Sequence, residues 1–375
     1  MTSISIPEKQ TVALVRKLGG PVEFVEDYPV QLPGRDEVLA KVLYTGVCQS
    51  DMHTARGTAA GAVGKPITAI KLPRIGGHEG VGRLVALGPG IADRDPSIHL
   101  GALVGIRFSS RICRRCTYCL AGTEQYCQGV GDLKPTNHLH HEDGAFQQYV
   151  CLDAGYLTIL PSEADPVVTA PTLCAGLTAY KAVKNAEISP GETVVVLGTG
   201  GGLGQYAVQY SRTRGARVIG VDTGKAKQEL VASFGVQFVD FKEVPDIVAE
   251  IRRLIPGDAH AVIVAAGSST AFAQAASMLR TRGTMCLIGI PPGGGQILTS
   301  VAEIVIKGLN IKGNLVGSLA ESLEAVQLVR DGLVKPKVYV RPFRDLPAVY
   351  EELESGDIAG RVVLKIGDDP GLYPV

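Results

Sequence analysis

The chain has 375 residues, of which 45% are apolar and 20% charged, an ordinary composition for a globular protein. Because a single hydrophobic core stops growing at roughly 250–300 residues, we expect two domains. The 37 Lys and Arg residues balance the 37 Asp and Glu residues, which excludes a strong long-range attraction to nucleic acid or to an anionic membrane.

The first ten residues contain Pro7, Glu8 and Lys9 and lack the apolar segment of a signal peptide. Every apolar stretch is interrupted well before the roughly 20 residues that would span a bilayer. We therefore expect a cytoplasmic protein with no membrane partner, in which cysteines are reduced and free to bind metal.

From residue 11 to about residue 174, short β-rich runs alternate with Gly and Pro turns. The predicted strands of this region are Val38–Tyr44, Gly80–Leu87, Leu103–Phe108 and Phe146–Leu152. Short strands separated by turn residues are typical of an irregular, mostly β domain.

From about residue 175 to residue 316, apolar strand-like runs alternate with helical patterns, which predicts βαβ units on a parallel sheet. The predicted strands are Thr193–Leu197, Arg217–Val221, Ala261–Ala265 and Thr284–Ile290, and the predicted helices are Gln205–Arg212, Ala226–Phe234 and Ala271–Arg280. Two further helices, Leu319–Arg330 and Leu346–Glu354, and a strand, Gly360–Ile366, follow.

Four cysteines follow one another closely in the first region, with the spacing Cys113-x2-Cys116-x2-Cys119-x7-Cys127. Four sulfur ligands fill a tetrahedral zinc site completely and leave no open position for substrate. This motif therefore predicts a structural zinc ion. The nearby patch His138–His141 is interpreted as a solvated loop rather than as a third metal site.

A glycine-rich turn directly follows the predicted strand Thr193–Leu197 and precedes a helix. Glycines at such a turn let the backbone approach a pyrophosphate at a helix N-terminus. Asp222 ends the next strand, 18 residues after Gly204, where a carboxylate binds the adenosine ribose and favours NAD over NADP. Lys225 and Lys227 follow Asp222, and their positive charges could tolerate the 2′-phosphate of NADP. The residues of this turn that we predict to contact the cofactor are Gly198, Gly200, Gly201, Gly202, Leu203 and Gly204.

Three further motifs carry possible metal ligands: Cys48-Gln-Ser-Asp-Met-His53, Gly76-Gly-His-Glu-Gly80 and Leu173-Cys-Ala-Gly176. A catalytic zinc ion takes three protein ligands and keeps a fourth position open, and Cys48, His78 and Cys174 would supply two sulfurs and one nitrogen. They lie too far apart in the sequence for spacing alone to join them.

In their order along the chain, these motifs resemble those of the zinc-dependent medium-chain alcohol dehydrogenases, and the segments Asp143–Tyr149, Cys174–Lys181 and Gly332–Lys335 resemble the yeast and fungal type. The resemblance covers nearly the whole chain. It implies an α/β protein with a GroES-like mostly-β catalytic domain over residues 1–174 and 318–375, including a zinc lobe at 111–128. A doubly wound Rossmann domain over residues 175–317 would bind NAD.

The resemblance also implies roles for individual residues. Cys48, His78 and Cys174 would hold a catalytic zinc ion, which Glu79 could reach during ligand exchange, while Asp51 would orient the imidazole. Ser50 and His53 resemble a relay that removes the alcohol proton. The cofactor contacts outside the glycine turn would be Thr178, Asp222, Lys227, Ile290 and Arg361.

The resemblance further implies two zinc ions per chain, a small alcohol or carbonyl substrate, and a homotetramer or homodimer in which Leu309–Val316 pairs Rossmann domains. The chain departs from the yeast type in having no tryptophan, and Ala55, Arg56 and Phe108 stand near the positions that narrow the ethanol pocket. The stretch Thr54–Arg74 is also longer. We therefore expect a roomier pocket, built from Ser50, Phe108, Ile290 and that stretch.

Two alternatives stay open at this point. A relative that keeps zinc and NAD(P)H could reduce a conjugated C=C or an iminium bond instead of a carbonyl. A family member could also bind NAD without catalysis, because function depends on the site and not on the fold.

Overall fold

The structure, a computed structural model, describes residues 5–61 and 65–371. Residues 62–64, which belong to the predicted loop Thr54–Arg74, lie outside the described part, as do residues 1–4 and 372–375, which the predicted domain ranges include. Within the described residues, no helix is both long enough and apolar enough to cross a membrane.

The N-terminal region is built mainly from short antiparallel strands. They are β1 (Lys9–Val15), β2 (Glu23–Pro29), β3 (Glu37–Gly46), β4 (Arg74–Ile75), β5 (Gly80–Leu87), β6 (Leu103–Ile106), β7 (Ser109–Arg111), β8 (Thr136–Asn137), β9 (Tyr149–Asp153) and β10 (Thr158–Ile159). Short helices connect some of them: α1 (Gln49–Arg56), α2 (Ile91–Arg94) and α3 (Thr117–Leu120).

A helical segment leads from this region into the parallel sheet. It consists of α4 (Pro166–Pro171), a π-helical turn (Thr172–Gly176) and α5 (Leu177–Asn185). The π-helical turn holds Cys174, and such turns are rare and frequent at functional sites.

The central region alternates strands and helices as the sequence predicts. Its strands are β11 (Thr193–Leu197), β12 (Arg217–Asp222), β13 (Gln237–Asp240), β14 (Ala259–Val264), β15 (Leu279–Leu287) and β16 (Asn310–Gly313). Its helices are α6 (Gly204–Thr213), α7 (Lys225–Ser233), α8 (Ile247–Leu254), α9 (Ser269–Ala275) and α10 (Val301–Lys307).

These six strands form one sheet in the order β13-β12-β11-β14-β15-β16, and every neighbouring pair is parallel. This is the doubly wound order of a Rossmann domain, which confirms the predicted fold class. Successive residues of β11 point to opposite faces: Val194 and Val196 pack in one hydrophobic core, and Val195 and Leu197 pack in the other. The direction of the chain order reverses between β11 and β14, where ligands bind in such sheets.

The C-terminal segment returns to the first domain through α11 (Leu319–Arg330), β17 (Val338–Pro342), α12 (Leu346–Ser355) and β18 (Arg361–Lys365). β18 pairs antiparallel with β3 and parallel with β17, within a seven-stranded sheet. Helix α11 lies between the two regions, because Ala325 and Val329 pack in the core of the parallel sheet while Val326 packs against Leu43 and Val81. The domain boundary at residues 317 and 318 stays a prediction.

The predicted strand Phe146–Leu152 begins only at Tyr149, and the predicted strand Thr284–Ile290 lies at Leu279–Leu287. One predicted helix is replaced in part by a strand. The sequence predicts a helix over Ala271–Arg280, but α9 ends at Ala275 and β15 begins at Leu279. Leu279 pairs with Ala259 of β14, and a register shift follows. The early start of β15 is therefore set by pairing with a neighbouring strand, which overrides the local helical pattern.

Candidate active site

Four potential metal ligands from three separate segments meet at one point. Cys48 precedes α1, His78 and Glu79 precede β5, and Cys174 lies in the π-helical turn. One ligand atom from each of these residues lies within 4.8 Å of the others. The structure thus brings together the three predicted zinc ligands and Glu79, although Cys48 and Cys174 are 126 positions apart along the chain. Two sulfurs and one nitrogen suit a zinc ion with an open fourth position.

Asp51 fixes the orientation of the His78 ring. Its Oδ1 lies 3.0 Å from Nδ1 of His78 and accepts a hydrogen bond from the backbone N–H of Gly77. Its Oδ2 accepts a hydrogen bond from the backbone N–H of Cys48, 3.3 Å away. With Nδ1 held by a carboxylate, Nε2 is the nitrogen left to bind metal, and a carboxylate on the other ring nitrogen is the usual support of a zinc-bound histidine.

Glu79 and Arg361 form a buried ion pair beside the metal ligands. The Arg361 guanidinium donates hydrogen bonds to both carboxylate oxygens of Glu79, and both side chains are almost fully buried. Burial raises the pKa of Glu79 to about 7, although the Arg361 charge opposes this shift. Gly46 leaves the room for this carboxylate, since a Cβ there would lie 2.0 Å from Glu79 Oε2.

The two thiols of the cluster influence each other. Hydrogen bonding from the Cys174 thiol holds the pKa of Cys48 well below its ordinary value. The same contact raises the pKa of Cys174 well above its ordinary value. Metal binding would ionise both sulfurs, because zinc binds the thiolate form.

The four-cysteine motif forms a second compact cluster, away from the first. Its four Sγ atoms lie within 4.8 Å of one another, with 3.9 Å between Cys113 and Cys119 and 4.0 Å between Cys116 and Cys127. A tetrahedral site with Zn–S bonds of about 2.3 Å requires sulfur separations of about 3.8 Å. Backbone N–H groups of Cys113 and Gly129 point at Cys127 Sγ. The geometry therefore fits a closed zinc site.

The glycine turn and Asp222 lie together at the ends of β11 and β12. Asp222 Oδ2 accepts a hydrogen bond from the Gly200 N–H at 2.9 Å, and its Oδ1 lies 3.2 Å from Lys227 Nζ. Gly198 has a φ of +83°, and a Cβ at Gly204 would lie 2.0 Å from Gly198 O. These two positions therefore require glycine. The tight turn at the switch point of the sheet fits a dinucleotide.

A cleft of about 1780 Å³ joins the metal ligands to the glycine turn. Its walls include these predicted site residues: Cys48, Ser50, His53, His78, Thr178, Cys174, Gly198, Gly201, Gly202, Leu203, Asp222, Lys227, Ile290 and Arg361. Asp51, Glu79, Gly200 and Gly204 are not among its lining residues, but Asp51 and Glu79 contact two residues that are, His78 and Arg361. Arg361 also reaches the glycine turn, since a Cβ at Gly202 would lie 2.5 Å from its Nη1.

Each of the two predicted relay residues, Ser50 and His53, has a polar partner of its own. Ser50 Oγ is 3.6 Å from Cys48 Sγ. His53 Nδ1 is 2.9 Å from Thr58 Oγ1, a partner that the sequence analysis did not identify. The Thr178 hydroxyl donates to the carbonyl oxygen of Cys174 at 2.7 Å, which anchors the turn that carries this cysteine.

The sequence analysis missed part of the cleft wall. Tyr126, Leu139, His140 and Leu315 line it, and the Tyr126 hydroxyl accepts a hydrogen bond from the Leu315 N–H at 3.2 Å. His138 is buried, which the interpretation of residues 138–141 as a solvated loop did not anticipate. The three histidines within residues 138–141 were the sequence signal that could have placed this segment at the cleft.

Comparison with known proteins assigns both regions of the chain to known protein families. Residues 34–162 match the family model described as the alcohol dehydrogenase GroES-like domain, and residues 202–331 match the model described as zinc-binding dehydrogenase. An alcohol dehydrogenase of Schizosaccharomyces pombe is 38% identical over 366 residues, which cover 97% of this chain and 99% of that protein. Alcohol dehydrogenase 1 of Emericella nidulans is 37% identical with the same coverage.

Solved structures show the same architecture. Acetophenone reductase from Geotrichum candidum, solved in complex with NAD, is 25% identical with a TM-score of 0.81, covering 98% of this chain and all of that one (100%). The alcohol dehydrogenase of Aeropyrum pernix is 26% identical with a TM-score of 0.82, covering 95% of this chain and 99% of that one.

Proposed function

The chain belongs to the zinc-dependent medium-chain alcohol dehydrogenases of fungal type, and we propose that its cleft interconverts primary or secondary alcohols with aldehydes or ketones, using NAD. One observation carries this proposal: a sulfur–nitrogen–sulfur ligand set opens onto the same cleft as a dinucleotide-binding turn.

We assign the chemistry as follows. When bound, zinc acts as a Lewis acid that acidifies the alcohol, and the nicotinamide accepts the hydride. Cys48, His78 and Cys174 would hold the metal, and Asp51 would keep the His78 ring in position. Ser50, beside Cys48, would accept the hydroxyl proton. His53, one turn further along α1 and partly exposed in the cleft wall, would exchange a proton with solvent.

The cofactor would lie along the cleft from Asp222 to the metal ligands. The Asp222 carboxylate would accept hydrogen bonds from the adenosine ribose, which favours NAD. The pyrophosphate would lie against the glycine turn, within reach of the Arg361 guanidinium. Thr178 and Ile290 would contact the nicotinamide half. Lys227, now paired with Asp222, would lie beside the ribose.

The substrate end of the cleft supports a pocket larger than one for ethanol. Ala59, Ala60, Ile67 and Phe108 are among the residues that line the cleft, and alanine side chains take up little of its space. We expect higher kcat/KM for benzyl alcohol and long-chain alcohols than for ethanol. A strong preference for ethanol would contradict the roomy pocket while leaving the alcohol dehydrogenase activity intact.

Metal removal tests the reaction itself. The purified chain should contain near two zinc ions, one for each ligand cluster, and should reduce NAD in the presence of an alcohol. Stripping zinc with a chelator should abolish the reaction, and adding zinc back should restore it. Binding of NADH without turnover of any alcohol or carbonyl compound would contradict the proposal and support a non-catalytic role.

We also propose that the chain assembles as a homotetramer or homodimer in the cytoplasm. Val301, Val305 and Ile306 are 78%, 71% and 80% exposed on α10, next to β16, the edge strand of the parallel sheet. An exposed apolar face beside an unpaired strand edge is a typical protein–protein interface. A reducing compartment would preserve the thiols of both metal clusters.

A further inference from the structure

A strained residue lies in the wall segment, which we define as residues 314–319, the connection from β16 into α11. Val316 has a φ of +36°, a left-handed conformation that β-branched residues avoid. Its side chain is buried in one cluster with Leu177 and the metal ligand Cys174, and the residue lines the cleft. Strained residues persist only where their surroundings hold them, and they are frequent at functional sites.

The parallel sheet holds the wall segment from one side. The backbone N–H of Asn314 donates a hydrogen bond to the carbonyl oxygen of Leu287, the last residue of β15, at 3.0 Å. Gly317 packs closely against α5, since a Cβ there would lie 2.6 Å from Leu177 Cδ1. These contacts fix the start of the segment and its distance from α5, but they do not involve the residue directly before Val316.

The zinc lobe, residues 111–128, holds the wall segment from the other side. The Tyr126 hydroxyl accepts a hydrogen bond from the Leu315 N–H at 3.2 Å. Glu124 Oε1 accepts a hydrogen bond from the Leu319 N–H at 2.6 Å. Both acceptors belong to a single turn of 3₁₀ helix, which directly precedes the predicted zinc ligand Cys127. The two bonds therefore flank the strained residue on both sides.

Glu124 is a firm anchor because it is itself buried and paired. Its Oε1 also accepts a hydrogen bond from the Tyr156 hydroxyl at 3.0 Å, and the Arg107 guanidinium lies 4.8 Å from the centre of the Tyr156 ring. The Cys127 N–H donates to the carbonyl oxygen of Glu124 at 2.9 Å. Zinc held by Cys127 would therefore keep this helical turn, and with it the wall segment, in place.

The wall segment borders the part of the cleft that holds the metal ligands. Leu315 and Val316 line the cleft together with Cys174 and Thr178, and we have assigned Thr178 to the nicotinamide half of the cofactor. If Val316 relaxed from its strained conformation, this wall would shift relative to Cys174. A site that is competent for only part of the time binds its ligand more weakly in proportion.

We propose that Tyr126 and Glu124 are positioning residues, through which the zinc lobe holds Val316 in its strained conformation and so sets the cleft wall for the cofactor. This inference rests on the proposed function, in which the cleft binds NAD, and it gives the zinc lobe a role in the site besides stabilising the fold.

The test compares Tyr126→Phe with Tyr118→Phe in the zinc-loaded full chain. These tyrosines of the zinc lobe are 38% and 40% exposed, and within the described part of the chain only Tyr126 lines the cleft. Without NAD, amide hydrogen exchange at Leu315 should rise about three- to tenfold in Tyr126→Phe, the equivalent of one hydrogen bond. Exchange at Leu319, whose own partner is unchanged, should rise as well, because the segment is held as a unit. Tyr118→Phe should change neither rate.

NADH binding reports on the position of the wall. Fluorescence titration should show about two- to tenfold weaker binding of NADH by Tyr126→Phe, with zinc content still near two ions per chain. Glu124→Leu should weaken NADH binding in the same way, whereas Glu124→Gln keeps an oxygen for the Leu319 N–H and should retain most of the affinity. A residue that only stabilised the fold would lower the unfolding temperature without changing the NADH affinity of the folded protein.

The outcomes separate this inference from the proposed function. Zinc content and thermal unfolding establish that each variant is folded, and Tyr126→Phe, which loses only a hydroxyl, keeps the test valid if Glu124→Leu does not fold. If the rise in exchange is confined to Leu315, or if Tyr126→Phe binds NADH as tightly as the wild type, the positioning role is wrong while the proposed function stands. Equal losses in Glu124→Gln and Glu124→Leu would contradict the role of Glu124. If the wild type binds no NADH and oxidises no alcohol, the proposed function fails, and this inference fails with it.

Discussion

The carboxylate of Asp51 holds the imidazole of His78 through an Oδ1–Nδ1 contact of 3.0 Å, with both side chains buried. The same carboxylate accepts hydrogen bonds from the backbone of Gly77 and of Cys48. One side chain thus ties together two of the segments that supply metal ligands. The position of the Asp51 carboxylate depends on all three hydrogen bonds, because a buried carboxylate oxygen without a partner would lower the stability of the fold.

Asp51→Asn should weaken the catalytic metal site selectively. An amide has one acceptor oxygen, so its NH2 group would face the N–H of either Gly77 or Cys48 and no longer complete all three hydrogen bonds. We expect zinc affinity at this site to fall about 10–100-fold, as for other residues that support zinc ligands, together with kcat/KM. Chelator competition should release one zinc ion early, while the ion held by Cys113, Cys116, Cys119 and Cys127 provides the internal control. Equal release of both ions would contradict this role.

Glu79→Gln should leave the buried charge of Arg361 without its negatively charged partner. At pH 8, above the pKa of about 7 of Glu79, the carboxylate neutralises this buried guanidinium, and its loss should lower the free energy of unfolding by about 3 kcal/mol. A bound pyrophosphate would replace the missing negative charge. Saturating NAD should therefore raise the unfolding temperature more in the variant than in the wild type.

The control for this experiment is Asp36→Asn, which removes an exposed ion pair with Arg94 and should change little. If NAD stabilises the Glu79→Gln variant no more than the wild type, Arg361 does not contact the pyrophosphate in the way we propose.

The fold could be predicted wherever a local pattern decided it. The strands Gly80–Leu87 and Thr193–Leu197 and the helix Leu319–Arg330 have the predicted bounds, because their periodicity and flanking glycines or caps are local signals. Leu279 and Arg280 were predicted as helix and lie in β15, because pairing with β14 is a long-range interaction that the local pattern does not contain.

In the candidate site, too, local motifs could be predicted from the sequence and long-range contacts could not. The four-cysteine motif and the glycine turn were evident from spacing alone. Cys48, His78 and Cys174 could be joined only by resemblance, because the contacts that bring them together are non-local. The place of His140 in the cleft wall depends on Asn137 and Lys71, which hold its turn from two sides, and no sequence pattern reveals that packing.

Cys116→Ser should remove the structural zinc ion and leave the catalytic one. Three thiolates and a hydroxyl bind zinc much less tightly than four thiolates, and a structural zinc ion contributes directly to folding stability. We expect zinc content to fall from near two ions to near one per chain and the unfolding temperature to drop. Cys151→Ser is the matched control, since Cys151 lies in β9 outside both clusters, and it should keep both ions. Retention of two ions by Cys116→Ser would contradict the assignment.

Asp222→Ser should shift cofactor preference from NAD toward NADP. The substitution removes the ribose acceptor and the repulsion of a 2′-phosphate, and it frees Lys227, which now pairs with Asp222. We expect kcat/KM for NAD to fall about tenfold, the equivalent of one hydrogen bond, while the value for NADP rises. Adding Lys227→Ala should cancel the gain with NADP. Adding Lys225→Ala should not, because Lys225 is exposed and pairs with Glu229. If the wild type already prefers NADP, the role of Asp222 is wrong.

Ile306→Glu should dissociate the proposed assembly. Ile306 is the most exposed of the three apolar residues of α10, and it lies beside the edge strand β16. A carboxylate buried at an apolar interface loses its hydration without gaining a partner, which disfavours association. Light scattering after size exclusion should show a lower mass for this variant than for the wild type. Leu32→Glu provides the control, since Leu32 is 71% exposed in the other domain and its substitution should leave the mass unchanged. A monomeric wild type would contradict the oligomer, and a Leu32→Glu variant that also dissociates would move the interface away from α10.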